Sequence, residues 1–268
     1  MNIIVCLKQV PVKDSLLKIK DDGRWVHEAD LKYEINESDN YALEEALRMK
    51  EKHGGEVVIL SMGPERVKEA IKQGLAKDAD RALHINNESF TRLDPFINAK
   101  ILAAAIKKEK CDLVMTGLQS DDYGFGQTGV ILAEMLGLPH ATIVMEIQKQ
   151  NGLPAQAGSI KVKRELESGW FQWVELPLPA VLTIQSGINQ IRYATIKGIM
   201  MAKKKEIKSL GLSDLGLSES DVAAGVTGLK FSKMYMPQKT KQTEMLQGDA
   251  KEVARKLAEK LKNEAKVF

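Results

Sequence analysis

Through its first two-thirds the chain alternates short apolar runs with stretches of helical period, and this alternation restricts it to few folds. Residues 3–8, 56–61, 82–85 and 112–116 are strand-length runs rich in Ile, Val and Leu. Between the first two, Ala42, Ala46, Leu47 and Met49 mark one face of a helix over 38–53, and Gly54 and Gly55 stop it. Met62, Gly63 and Pro64 turn into a second helix over 65–77. Asp94 and Pro95, a cap and a first-turn residue, open a third that runs to 108. A fourth is expected over 126–136. Strands alternating with helices predict right-handed βαβ units: a Rossmann-like α/β fold, mainly parallel, with helices on both faces of the sheet.

The pattern then changes. Residues 142–148, 159–166, 171–176 and 180–184 are strand-like with no helix between them, which predicts a small antiparallel extension of the sheet. Beyond Ser186 the periodicity fades, and 209–247 hold Gly, Ser, Pro and scattered charges, as an extended arm does. A last helix over 249–265 lines up Val253, Leu257 and Leu261 on one stripe. Such a helix either folds back on its own sheet or reaches another subunit. The expected division is an α/β domain over 1–186, extended from about 142, a segment over 187–208, and the arm with its helix over 209–268.

Composition removes several classes of function. With 268 residues, 44% hydrophobic and 28% charged, the chain has the makings of a buried core. Lys and Arg number 39 against 36 Asp and Glu, and a net charge of +3 gives no basic field for nucleic acid. No apolar run approaches the ~20 residues of a membrane span, so an integral membrane protein is not expected. The start resembles neither a signal nor a transit peptide, and a cytoplasmic location is expected. Cys6 and Cys111 form no CxxC, and His27, His53, His84 and His140 show no metal-ligand spacing. Two reduced thiols and no metal are expected.

No GxSxG elbow or P-loop is present, which favours a binding or carrier role over hydrolysis. One loop carries chemistry. Gly124, Gly126 and Gly129 spell G-x-G-x-x-G before the fourth helix, although seven residues separate Thr116 from the first of them. Small residues there let backbone N–H groups at a helix start approach an anion, and Gln127 and Thr128 add side-chain donors. In a parallel sheet, Cys6, residues 36–40 and residues 61–64 converge on the same edge. A second locus is 192–205, where Ile196, Ile199, Met200 and Met201 sit between basic flanks. Over 192–208 six basic residues face Glu206 alone, a net +5, which leaves −2 on the rest of the chain. That pattern suits a solvated lysine run beside a locally buried helix, or a docking peptide with an apolar anchor and a steering rim, with a polybasic membrane patch as a third reading.

Several segments together resemble the β subunits of electron transfer flavoproteins over nearly the whole chain. They are Val5-Cys-Leu-Lys-Gln-Val10, residues 42–52, Ser61-Met-Gly-Pro64, Ala79-Asp-Arg81, Gly117-Leu-Gln119, Gln127-Thr-Gly129, Lys163-Arg-Glu165, Leu178-Pro-Ala-Val181 and Arg192-Tyr-Ala-Thr195 with Ala202-Lys-Lys-Lys205. The resemblance implies an electron carrier subunit rather than a stand-alone catalyst. Its obligate partner would be an α subunit bearing FAD, with the C-terminal arm and helix packed on that partner. Electrons would come from an acyl-CoA dehydrogenase and pass to a quinone oxidoreductase. It implies AMP in this subunit, held by Cys6, Asn36, Asp39, Met62, Gly117, Gln119, Asp122, Gly126, Gln127 and Thr128. The alternative is the electron-bifurcating type, with a second FAD in that pocket and NADH as donor; Thr128 resembles the AMP type. Docking is implied for Glu165, Arg192, Tyr193, Ile196, Met200, Lys203, Lys204 and Lys205, with Ile196 as the anchor. The chain departs from the family pattern at Gly124, where a second loop acid is usual, at Asn36-Glu37 in place of Asn-Pro, and at Lys77-Asp-Ala-Asp80 in place of Met-Gly-Ala-Asp.

Overall fold

Nine strands hydrogen-bond into one sheet, and the order in which the chain visits them creates the site. The computed structural model describes residues 1–86, 94–150, 158–223, 232–238 and 243–267. They form two units, Met1–Lys18 with His27–Phe231 and Ile19–Val26 with Ser232–Phe268. In chain order the strands of the larger unit are β1 (Asn2–Cys6), β2 (Gln9–Pro11), β3 (Tyr33–Ile35), β4 (Glu56–Gly63), β5 (Arg81–Asn86), β6 (Leu113–Gly117), β7 (His140–Gln150), β8 (Ser159–Glu165), β9 (Phe171–Pro177), β10 (Ala180–Ile184) and β11 (Ile207–Leu210). Its helices are α1 (Glu37–His53), α2 (Lys68–Ala76), α3 (Pro95–Ile106), α4 (Thr128–Leu136) and α5 (Ile196–Ala202). The sheet order is β11-β5-β4-β1-β6-β10-β7-β8-β9, and β2 pairs with β3 in a separate antiparallel ribbon.

From β1 the chain steps outward through β4 and β5, then returns to place β6 on the other side of β1. The strand order therefore reverses between β1 and β6, the switch point where open α/β sheets form a crevice at the carboxyl ends of their strands. Alternate residues of β1 feed opposite layers, as a strand's two-residue period demands. Ile3 and Val5 join α1 and α2 residues in one cluster, and Ile4 and Cys6 join α3 and α4 residues in the other. The fold is the expected α/β sheet covered on both faces. Asp94 caps α3 as its sequence suggests, its side chain accepting from Ile97 N–H at 2.9 Å.

Three local expectations are corrected. Residues 180–184 were grouped with the antiparallel extension, but β10 is inserted parallel between β6 and β7. Its five residues are all buried, as suits a strand covered on both faces. The antiparallel pairings among the described strands of this sheet are β7 with β8 and β8 with β9, a meander at its edge. The helix expected from 126 begins at Thr128, because Gly126 has φ +63°. The periodicity expected to fade after Ser186 resumes: residues 187–208 contain α5, and β11 extends the sheet alongside β5.

The segment before α5 is fastened to α1. Asn189 Nδ2 donates to the Tyr41 carbonyl at 3.1 Å and to Glu45 Oε2 at 3.0 Å, and Arg48 Nη2 donates to the Gln190 carbonyl at 3.0 Å. Arg192 grips buried Glu44 through Nε at 2.8 Å and Nη2 at 3.1 Å, while its backbone N–H reaches the same carboxylate at 3.1 Å. Arg192 also pairs with Glu51.

In the smaller unit Ile19 bridges Val26, and Met234 N–H donates to the Gly23 carbonyl at 2.7 Å. Its helix α6 (Ala250–Asn263) is capped by Asp249, which accepts from Glu252 N–H at 2.8 Å, and none of its residues is buried. The arm expected over 209–247 lies partly outside the described residues, at 224–231 and 239–242.

Burial raises the Glu44 carboxyl, but hydrogen bonds from Arg192 and Arg48 outweigh it and hold the group below its ordinary 4.5. An acid depressed in the folded state contributes stability that is present above its unfolded value and lost as pH falls through the folded one. Glu44→Gln is thus expected to destabilise the full chain by about 1–3 kcal/mol at neutral pH. Thermal unfolding of both proteins across pH should show that gap closing below 4.5; a gap constant with pH would contradict the charge pairing.

Candidate nucleotide site and an exposed helical platform

At the switch point a buried carboxylate ties three elements together. Asp39, in the first turn of α1 and 6% exposed, accepts from Lys8 N–H at 2.7 Å and from Gly117 N–H at 2.8 Å. It thereby joins the chain just past β1, the last residue of β6 and the start of α1. Asn36, 1% exposed, donates to the Gln119 carbonyl at 2.9 Å and accepts from Asp121 N–H at 2.8 Å. Ser38 Oγ also donates to the Gln119 carbonyl, at 2.8 Å. A Cβ on Gly117 would collide with Ser38 Oγ and Asp39 Oδ1, so only glycine permits this approach.

The opposite wall is the start of α4. Gln127 occupies its N-cap position without a side-chain cap, so the first-turn N–H groups lie at the cavity margin. Gly129 seats this turn on the sheet: a Cβ there would fall 2.5 Å from Thr183 Cγ2 and 2.7 Å from Thr116 Oγ1. The three glycines of G-x-G-x-x-G thus divide their work. Gly124 and Gly126 take positive φ, and Gly129 allows close packing.

Between these walls lies a cavity of about 200 Å³. Of the residues implied for the nucleotide, Cys6, Asn36, Asp39, Met62, Gly117, Gln119, Gly126, Gln127 and Thr128 all line it. Asp122 does not; it accepts from Lys8 Nζ at 2.6 Å at the rim. Asn36 and Asp39 hold the two loops together, so their side chains shape the cavity. Lys8, Asn98, Tyr123 and Phe125 also line it and were not anticipated. Lys8 lies beyond the strand end and carried no pattern of its own, whereas Asn98 follows the Asp-Pro start of α3 by one turn. The cavity thus sets an uncapped helix start, which favours an anion, beside apolar Leu60, Met62 and Leu102.

Burial pushes the Asp39 carboxyl up to about 7, against the lowering effect of its backbone donors, Asn36 and Lys8. Burial also pushes both free thiols up, Cys111 to about 11, which keeps them protonated near neutrality. Among the described residues no group of three His, Cys, Asp or Glu is placed to hold a metal, and no helix is long and apolar enough to cross a membrane.

The residues implied for docking do not form one patch. Tyr193 is 94% exposed and Ile196 81%, and Ile199, Met200 and Met201 are exposed beside them. Thr195 caps α5 by accepting from Gly198 N–H at 3.0 Å. A Cβ on Gly198 would collide with the Ala76 carbonyl, so α5 lies tightly on the end of α2. Lys203 and Lys204 are exposed, but Arg192 and Lys205 are engaged within the fold. Lys205 Nζ donates to the carbonyls of Ala79 at 2.6 Å and Leu75 at 3.1 Å. These two cations fasten the ends of the segment and leave its apolar middle outward. Glu165 lies elsewhere, on β8, where Gln185 Nε2 donates to it at 3.1 Å.

The class of protein follows from comparison with known families and relatives. Residues 24–215 match the model of the electron transfer flavoprotein domain. The chain is 40% identical over 259 residues to the electron transfer flavoprotein subunit beta of Methylophilus methylotrophus, covering 96% of each. It is 36% identical over 271 residues to the subunit beta of Bradyrhizobium diazoefficiens, and 34% identical over 275 residues to that of Bacillus subtilis, covering all of each chain in both cases. The chain belongs to the electron transfer flavoprotein family, as one of its β subunits.

Asp39→Asn would turn an NH₂ group toward one of two backbone N–H donors, and a loss of about 1–3 kcal/mol is expected. Because folding raises the Asp39 value from 3.8 to about 7, wild-type stability contains a favourable part that fades as pH rises through that window. The difference in melting temperature between the two proteins should therefore be largest near pH 4 and narrow toward pH 7. A difference that widens instead would show that Asp39 is buried as the anion.

Proposed function

We propose that this chain pairs with an FAD-bearing α subunit in a heterodimeric electron transfer flavoprotein and holds AMP in the cavity at the β1–β6 switch point. The observation that carries the nucleotide reading is the uncapped start of α4 beside that cavity. In this reading the N–H groups of the first turn of α4 bind the single phosphate, Thr128 adds a hydroxyl, and Gly126 and Gly129 admit the anion to the backbone. FAD, held with the α subunit, supplies the one- and two-electron chemistry. The β chain contributes placement: it closes a nucleotide into its own core and presents a rigid platform to partners. The apolar stripe of α6, with Leu257 exposed and Val253 and Leu261 half-buried, supports a role for the C-terminal helix in gripping the α subunit.

The donor proposed is an acyl-CoA dehydrogenase docked on α5, and the acceptor a quinone oxidoreductase. Tyr193, Ile196 and Met200 form an apolar anchor, and Lys203 and Lys204 a basic rim. Both ends of the segment are pinned, so little ordering entropy opposes docking.

Ile196→Asp is expected to slow dehydrogenase-dependent flavin reduction by about tenfold or more while leaving bound nucleotide and flavin in place. The wild-type rate should fall as salt screens the lysine rim. Stopped-flow reduction of the purified heterodimer at several salt concentrations reads both effects. An unchanged, salt-insensitive rate in the variant would overturn the docking assignment. Heat release of the bound ligands should yield one FAD and one AMP per heterodimer, whereas two flavins would favour the bifurcating type.

A further inference from the structure

The apolar middle of the α5 segment is built in part from sulfur. The chain holds 11 methionines, all within the described residues. Those exposed are Met200 and Met201, adjacent on α5, and Met236 and Met245 in the smaller unit. Met49 and Met115, by contrast, are buried in the core. Met200 is 64% exposed and Met201 46%, so both thioethers are open to a small dissolved oxidant. The helix that carries them is fixed: Gly198 seats it against the Ala76 carbonyl, and Arg192 and Lys205 hold the chain on either side. On a helical surface Met200 neighbours Ile196, four residues before it, and Lys204, four residues after it. It therefore lies where the apolar middle of the segment meets the exposed lysines.

We propose that Met200 and Met201 form a reversible oxidation switch on this platform, with hydrogen peroxide as the oxidant. The inference rests on the docking reading above and adds a means of regulating it. Each thioether sulfur attacks one oxygen of the peroxide: an S–O bond forms, the O–O bond breaks and water leaves, the sulfur giving up the two electrons that reduce the peroxide. The product sulfoxide is polar where the thioether was apolar. On docking, its oxygen must either be buried without a donor or keep the ammonium of Lys204 with it. The first opposes association, and the second withdraws a charge from the steering rim. Oxidation thus acts on anchor and rim together. A methionine sulfoxide reductase reverses it with two electrons from a dithiol, which becomes a disulfide as water forms. Leucine has a similar apolar volume and no sulfur to oxidise.

The test uses the intact heterodimer. Wild type, Met200→Leu/Met201→Leu and Met236→Leu/Met245→Leu are treated with hydrogen peroxide, which is then removed. Peptide mass mapping locates the added oxygen, and retained flavin reports that each protein stays assembled. Met200→Ile/Met201→Leu replaces the first variant should that one not assemble. Stopped-flow reduction by an acyl-CoA dehydrogenase is read at several salt concentrations, each protein against its own untreated rate. Wild type should carry sulfoxide at Met200 and Met201 while Met49 and Met115 stay unmodified. Its rate should fall roughly tenfold and depend less on salt. Methionine sulfoxide reductase with a dithiol should restore both. Met236→Leu/Met245→Leu should respond as wild type does, and Met200→Leu/Met201→Leu should keep its own rate through treatment. An undiminished rate in oxidised wild type, a loss that persists in Met200→Leu/Met201→Leu, or no sulfoxide at these two positions would each overturn the switch. Ile196→Asp separates the two readings. Slow reduction in that variant beside an unresponsive oxidised wild type sinks the switch and leaves docking standing, whereas unslowed reduction in it removes the docking reading and the switch with it.

Discussion

The site depends first on the buried carboxylate of Asp39. At the switch point the N–H groups of Gly117, the last residue of β6, and of Lys8, two residues past β1, are both answered by the first turn of α1, which must approach them closely. One carboxylate answers both N–H groups, and its own burial is tolerable only because both bonds form. Gly117 completes the clamp by leaving no side chain in the gap. With β1, β6 and α1 joined at one point, the loop after β6 has a fixed origin, and Asn36 and Ser38 draw its next residues against α1. The cavity is what remains between this stitched loop and the start of α4.

The platform around α5 applies the same rule to the surface. A seven-residue helix has little stability of its own, and one that exposes Ile and Met has less reason to stay in place. Here it is held from both ends. Arg192 binds a carboxylate that is itself buried, so the pair resists water in a way that an exposed ion pair does not. Lys205 caps the carbonyls at the end of α2, which favours a cation on helix-dipole grounds as well. Local charge is accordingly divided within one short segment: Arg192 and Lys205 fix geometry, and Lys203 and Lys204 remain exposed to solvent.

How much of this was legible in the sequence depended on whether a signal was local. Apolar runs disclosed β1, β4, β6 and β10, and the Asp94-Pro95 pair disclosed the start of α3, because burial and capping act on neighbouring residues. The placement of β10 was not legible, since a fully apolar five-residue run reads alike in a parallel or an antiparallel setting. Strand β11, IKSL, hides its sheet role because an edge position leaves two of its residues exposed. Helix α5 was obscured by Gly198, which a propensity argument counts against a helix but which close packing on Ala76 requires. The cavity-lining set came largely from family resemblance. The roles of Asn36 and Asp39 as clamps did not, because hydrogen bonds across 78 to 85 residues leave no periodic trace.

The cavity and the platform share one element. The first turn of α1 carries Ser38 and Asp39, which hold the cavity, and one to three turns later Tyr41, Glu44, Glu45, Arg48 and Glu51 hold the segment that leads to α5. Seventeen residues of helix span about 25 Å, too stiff a rod for its two ends to move independently. A nucleotide that binds only the folded cavity stabilises the clamp by mass action, and the same rod carries that stability to the segment anchored along it. A ligand seated in the cavity would in this way steady the segment that leads to α5 without performing any chemistry of its own.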